Sequence, residues 1–155
     1  PRLGCRWWGC LAPDIVNPHC VTFVYKHRMP VTAAMAACNE AVRAIAFRHA
    51  VADRTGAGFA NGANLQWAYA PDRAHLELAI YERGEGPTMA SGSSACAAAR
   101  AAFARGLIDS AVDVVMLGGT LAVRIQGSPD NITAVTLSGH ATRILDGVVD
   151  LEIFG

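Results

Sequence analysis

The sequence predicts an α+β fold with mostly antiparallel strands, and three observations carry that prediction. Short runs rich in β-branched and aromatic residues alternate in polarity and are separated by tight turns of Gly, Pro, Asn and Asp. Two helical stretches interrupt those runs instead of following every strand, so the repeating strand–helix order of a parallel sheet is missing. The second helical stretch, from Ala95 onward, is nearly all alanine: Ala97, Ala98, Ala99, Ala101, Ala102 and Ala104, with Arg100 and Arg105 supplying almost all its charge. Alanine favours the helix, but a surface helix would carry a wide charged face. Small side chains on most sides instead let sheet backbone come close to this one.

In chain order, residues 1–14 (PRLGCRWWGCLAPD) read as an atypical N-terminal segment, because Pro1, Gly4, Gly9 and Pro13 interrupt any period and Trp7-Trp8 has no apolar face to join. Residues 15–155 read as one domain without repeat or linker. Val21-Thr22-Phe23-Val24-Tyr25 is a strand, approached through Asn17-Pro18-His19. A helix is expected over 34–52, where Met35, Cys38, Val42, Ile45 and His49 recur at helical spacing. It stops in the polar turn Asp53-Arg54-Thr55-Gly56. Phe59-Ala60-Asn61-Gly62-Ala63-Asn64 then leads into a strand with Leu65, Trp67 and Tyr69 on one face. Pro71-Asp72-Arg73 turns the chain into an alternating strand over 76–81, so these two strands should form a hairpin. Gly84, Gly86 and Pro87 make the next turn, and Ser91-Gly92-Ser93-Ser94 offers hydroxyls to cap the alanine helix. Strands follow at 112–116, 121–125 and 133–137, joined by Gly118-Gly119 and Ser128-Pro129-Asp130-Asn131.

Composition narrows the function classes. A chain of 155 residues, 52% hydrophobic and 17% charged, can bury a core and does not have the make-up of a disordered segment. Formal net charge is zero and Lys and Arg do not cluster, so neither nucleic acid nor an anionic membrane surface is expected as a partner. No apolar run approaches the roughly 20 residues that span a bilayer, and no export signal is read at the start. Cys5, Cys10, Cys20, Cys38 and Cys96 are odd in number, which points to reduced thiols in a cytoplasmic protein. Cys and His never meet at zinc-ligand spacing, so no metal is expected. Asn131-Ile132-Thr133 fits a glycosylation sequon but is read as chance.

The stretch that could carry chemistry runs from Tyr81 to Leu107. Read by itself it is a serine-capped buried helix. The N–H groups at its start would also receive a carboxylate or phosphate. Its letters say more. ERGEGPTMASGSSACAAA, residues 82–99, resembles the second catalytic motif of the diaminopimelate epimerase family, close to ERG-x-G-x-T-x-A-C-G-[ST]-G-A-C-A. Ser91 stands at the family's reactive cysteine and Ser94 at its second glycine. Asn17-Pro18-His19 resembles the family's G-N-P-H, with Val16 at the glycine. Residues 59–67 resemble F-P-x-G-x-N-V-x-F, and SGHATRILDG near the end resembles T-G-P-A-x-x-V-F-x-G, with His140 at the proline.

The resemblance implies two similar domains, each a curled sheet wrapped around a central helix, with the alanine helix as that centre here. It implies inversion of an amino-acid α-carbon without any cofactor, converting LL- to meso-diaminopimelate for lysine and peptidoglycan precursor synthesis. One base would remove the α-proton and an acid on the opposite face would return one. By position, Ser91, His19 and Glu82 fall on catalytic residues. Asn17, Asn64, Glu82, Arg83, Gly92 and Ser93 fall on substrate-binding ones, with Glu82 holding the amino group or tuning His19. Thiols suit this reaction because they titrate near 8.5, and lower at a helix start. An alcohol is a far weaker acid, so Ser91 would need a dedicated base. Cys96 matches a later helix cysteine, more than a turn into the core, and Cys20 reads as a small buried apolar residue.

The family's other cysteine lies in a Cys-Gly-Asn-Gly motif that these residues do not contain. The chain is therefore expected to be a C-terminal half whose partner is an N-terminal epimerase domain, with a homodimer left open. Two other readings keep this fold. One is an isomerase or dehydratase of the proline racemase or phenazine-pathway type, and the other is a pseudoenzyme that binds the substrate without turning it over. The acid–Arg–Gly motif favours the epimerase.

Overall fold

The computed structural model describes residues 6–10, 17–24 and 63–148. The helix expected over 34–52, the turn at 53–56 and the segment 59–62 lie outside the described residues. Within them the order is β1 (Arg6–Cys10), β2 (His19–Phe23), β3 (Asn64–Tyr69), β4 (His75–Glu82), β5 (Gly86–Thr88), α1 (Gly92–Phe103), β6 (Ala111–Met116), β7 (Gly119–Ser128) and β8 (Asn131–Ser138). The strands form one sheet in the order β1-β2-β3-β4-β6-β7-β8, with β5 paired to β4. Five of the pairings are antiparallel; β2–β3 and β4–β6 are parallel. The fold is α+β with a mixed, mostly antiparallel sheet, as the sequence predicts.

Geometry requires this sheet to curl. Helix α1 packs against β2, β3, β4, β6, β7 and β8. Six strands in a row at about 4.8 Å spacing are about 24 Å wide, whereas a helix with its side chains is only about 10 Å across. One helix can reach all six only if the sheet bends around it. Alanine makes that possible: Ala95, Ala98, Ala99, Ala101 and Ala102 share a core with Val21, Phe23, Leu76, Leu78, Ile80, Val112, Val114, Met116, Val123 and Ile125. Short side chains on several faces of α1 let each of these strands press in.

The expected β3–β4 hairpin is present, with Leu65 opposite Tyr81 and Tyr69 opposite Glu77. Its turn is fixed by Asp72, whose carboxylate accepts from the backbone N–H groups of Ala74 and His75 at 2.7 and 2.9 Å, a local bond that Asp makes well. In β6 burial alternates strictly, with Val112, Val114 and Met116 inside. In β3 it does not: residues 64–68 are all buried. The core around α1 takes in Ala68 but neither Leu65 nor Trp67, so the aromatic face read from the sequence is the one turned away from the helix.

Three strands differ from the sequence reading. Gly86 and Pro87, read as turn residues, open β5, which folds back antiparallel on β4. β2 begins at His19, so that residue is a strand residue and not part of the approaching turn. Residues 6–10, where broken periodicity suggested no element, pair antiparallel with β2 from Arg6–Phe23 to Cys10–His19. After β8 the described chain runs on without regular structure, leaving Ile144, Leu145 and Val148 at 93%, 85% and 101% exposure. Among the described residues no helix is long and apolar enough to cross a membrane.

Candidate active site

Strand register begins the site. The parallel β2–β3 ladder pairs His19 with Asn64, each the first residue of its strand. One step beyond the Leu65–Tyr81 pair, Asn64 faces the end of β4, where its amide oxygen accepts the backbone N–H of Arg83 at 2.9 Å. Three segments far apart in sequence therefore meet at one end of the sheet. The side chain of Glu82 ends β4 there, within 3.5 Å of the Thr88 hydroxyl.

Helix α1 enters from the other side. Ser91 is its N-cap, in extended conformation, and its hydroxyl accepts the Ser94 N–H at 3.4 Å. The Ala95 N–H bonds the Ser91 carbonyl at 3.0 Å. The Gly92 and Ser93 N–H groups are those that a helix start leaves over, and they point out of its positive end. Gly92 also permits a close approach, since a Cβ there would lie 2.8 Å from the Leu137 side chain of β8.

Gln66 of β3 joins the two halves of the site. Its amide reaches His19 Nδ1 at 2.9 Å and Ser94 Oγ at 3.0 Å. With the carbonyl oxygen on that side, the NH2 group donates to the backbone carbonyls of Asn64 at 3.3 Å and Cys20 at 3.2 Å. The opposite orientation would set the amide oxygen against those two carbonyls, so the carbonyl oxygen faces His19 and Ser94. A continuous chain of hydrogen bonds then runs Arg83–Asn64–Gln66–Ser94–Ser91, with His19 joined to it at Gln66. His19, Gln66 and Ser94 are almost wholly inaccessible to solvent.

Burial sets the charge state of His19. Removal from water pushes its pKa below the ordinary 6.5, and the negative charge of Glu82 opposes that without cancelling it. The imidazole is therefore neutral around pH 7. Cys96 sits one turn into α1 and is half-buried; desolvation pushes its thiol up, away from thiolate. Cys20 is fully buried in β2.

Of the residues predicted from sequence, His19, Asn64, Glu82, Arg83, Ser91, Gly92 and Ser93 lie along this end of the sheet and helix. Asn17 stands two residues ahead of β2, exposed, and takes no part in these hydrogen bonds. Gln66 is not among the residues the sequence points to, and Ser94 is marked there only as a departure from a motif glycine. Gln66 looked like an ordinary polar position in an alternating strand, though Ser94 standing at a motif glycine was a visible signal. No group of His, Cys, Asp and Glu among the described residues is arranged to hold a metal ion.

The family model for diaminopimelate epimerase matches residues 12–144. The chain belongs to the diaminopimelate epimerase family. It is 38% identical over 97 residues to the diaminopimelate epimerase of Burkholderia vietnamiensis, covering 63% of this chain and 34% of that one. It is 39% identical over 93 residues to the diaminopimelate epimerase of Nitrosomonas europaea, covering 60% and 33%. The chain thus spans about a third of the length of these curated relatives. Among solved structures, a hydroxyproline epimerase from Agrobacterium vitis superposes with a TM-score of 0.51 at 18% identity, over 78% of this chain and 37% of that one. That likeness supports the fold.

Proposed function

We propose that residues 15–155 are the C-terminal domain of a cofactor-independent amino-acid epimerase, acting with an N-terminal domain on diaminopimelate or a close analogue in lysine and peptidoglycan precursor synthesis. The observation that carries this is the hydrogen-bonded chain Arg83–Asn64–Gln66–Ser94–Ser91, with His19 bonded to Gln66, which brings three stretches that resemble family motifs to one end of the fold. In this reading the Gly92 and Ser93 amides receive the substrate α-carboxylate and stabilise charge developing on the α-carbon. The Arg83 guanidinium holds the distal carboxylate, and Asn17 and Asn64 orient the substrate. Glu82 binds the amino group while it tunes His19. Ser91 faces the α-proton in place of a thiol, and neutral His19 is the base available to assist it. The exposed Ile144, Leu145 and Val148 fit a surface that a further domain would cover.

The test is deuterium incorporation into LL-diaminopimelate by the chain completed with a family N-terminal domain, with Ser91 and with Ser91→Cys. Exchange in the Cys form is expected, with the Ser form slower by at least about 100-fold, the usual contribution of a positioned acid–base group. No exchange in either form, together with no calorimetric binding, would overturn the epimerase reading. The engaged hydroxyl of Ser91, already the helix cap, favours a second reading in which substrate binds without turnover. Binding by both forms with exchange by neither would select it.

A further inference from the structure

We propose that Gln66 is a positioning residue that locks His19 in the Nδ1–H tautomer and leaves Nε2 as its only lone pair. The inference rests on the epimerase reading for its functional meaning, but its physical content stands on the local geometry alone.

Gln66 has no solvent exposure, so every polar atom of its amide must find a partner inside the protein. The carbonyls of Asn64 and Cys20 lie 3.3 and 3.2 Å from one end of that amide, and both are acceptors. They demand the NH2 group and so fix which way the amide faces. The amide oxygen is thereby set at 2.9 Å from His19 Nδ1 and 3.0 Å from Ser94 Oγ. An oxygen can only accept, so both neighbours must donate: the Ser94 hydroxyl turns toward it, and Nδ1 carries the hydrogen.

The alternative tautomer would place the Nδ1 lone pair against the amide oxygen, two acceptors in contact with no proton between them. A turned amide would relieve that clash but set its oxygen against the two backbone carbonyls instead. Either way a buried group loses its bond. In the neutral ring Nε2 is then the acceptor. It is buried and has no hydrogen-bond partner among the described residues. It lies on the ring edge opposite the Gln66 bond, poised to accept a proton or a hydrogen bond that the rest of the site supplies.

Ser94 gives the arrangement a second function. It is the third residue of α1, and its N–H is already held by the Ser91 hydroxyl. One amide oxygen therefore ties the imidazole on β2 to the first turn of the helix. The helix start and the base cannot drift apart without breaking a bond at Gln66. The family motif has a glycine at this position, so this link belongs to the chain's own sequence.

The test is nitrogen-15 NMR of histidine-labelled protein at about pH 8, above the ordinary imidazole pKa, with His19 assigned by comparison with His19→Gln. The wild type is expected to show a single Nδ1–H tautomer. Gln66→Met, similar in volume but without either amide group, is expected to convert the signal to a mixture or to Nε2–H. An Nε2–H signal in the wild type overturns the inference, and so does an unchanged Nδ1–H signal in Gln66→Met. If Gln66→Met does not fold, the wild-type spectrum alone decides. Absence of both deuterium exchange and substrate binding in the completed enzyme would overturn the epimerase reading and leave this result standing, so the two failures are distinguishable.

Discussion

His19 shows how one residue couples stability to the site. Its imidazole is buried at the start of β2, and burial depresses its pKa while Glu82 partly restores it. As pH falls below 6.5, the unfolded chain takes up a proton that the native chain still refuses, so native stability declines over that range. Above 6.5 both states are neutral and this contribution is complete. The expected outcome is that the wild type loses more stability than His19→Gln when denaturant unfolding is repeated between pH 7.5 and 5.5. Glu82→Gln removes the opposing charge and should lower the His19 pKa further, which an NMR titration reads directly. Parallel pH dependence in wild type and His19→Gln would show that the imidazole is not held as described. Much of this residue-level picture was legible in the sequence, because Asn-Pro-His and Glu-Arg-Gly are motif letters. Gln66 was not, since its role comes from the register that sets β3 beside β2, and nothing in Leu65-Gln66-Trp67 marks that neighbour.

At the scale of elements, α1 is the clearest case of sequence dictating packing. Its alanines lie against six strands, so added volume has nowhere to go. Ala98→Leu, at a position with no exposure, should destabilise by about 1–3 kcal/mol through overpacking, seen as a lower denaturation midpoint at unchanged slope. The β7–β8 hairpin gives an independent check. Gly127 sits at a register shift with φ of +103°, and a Cβ there would lie 2.1 Å from the Asn131 carbonyl oxygen. Gly127→Ala must move backbone, and the conformation alone costs about 1–3 kcal/mol. A melting temperature equal to wild type would contradict the bulge. The helix and the β3–β4 hairpin were readable because each is set by local spacing and turn chemistry. β1 was not: RWWGC has no period of its own, and it becomes a strand only because β2 offers an open edge. The parallel pairs were equally hidden, since they join segments separated by long connections.

The whole molecule shows the same division between local and distant causes. The sheet curls around α1 but does not close within the described residues, where β1 and β8 lie at its two ends. Past β8 the chain leaves three large apolar side chains in solvent, an arrangement that costs nothing locally but is poor for a finished surface. The first two curated relatives are about three times as long as the part this chain covers, and under the proposed function an N-terminal domain would supply the cover. Joined to a family N-terminal domain, residues 139–148 should become protected, whereas in the chain alone their amides should exchange at near-random-coil rates. Hydrogen–deuterium exchange with mass spectrometry on both forms reads this directly. Ile144→Asp with Leu145→Asp should leave the isolated chain's unfolding free energy within about 0.5 kcal/mol of wild type, as exposed substitutions do, yet weaken the joined protein. Equal exchange in the two forms, or a joined protein indifferent to both charges, would mean that the apolar tail serves some other contact than the one between epimerase halves.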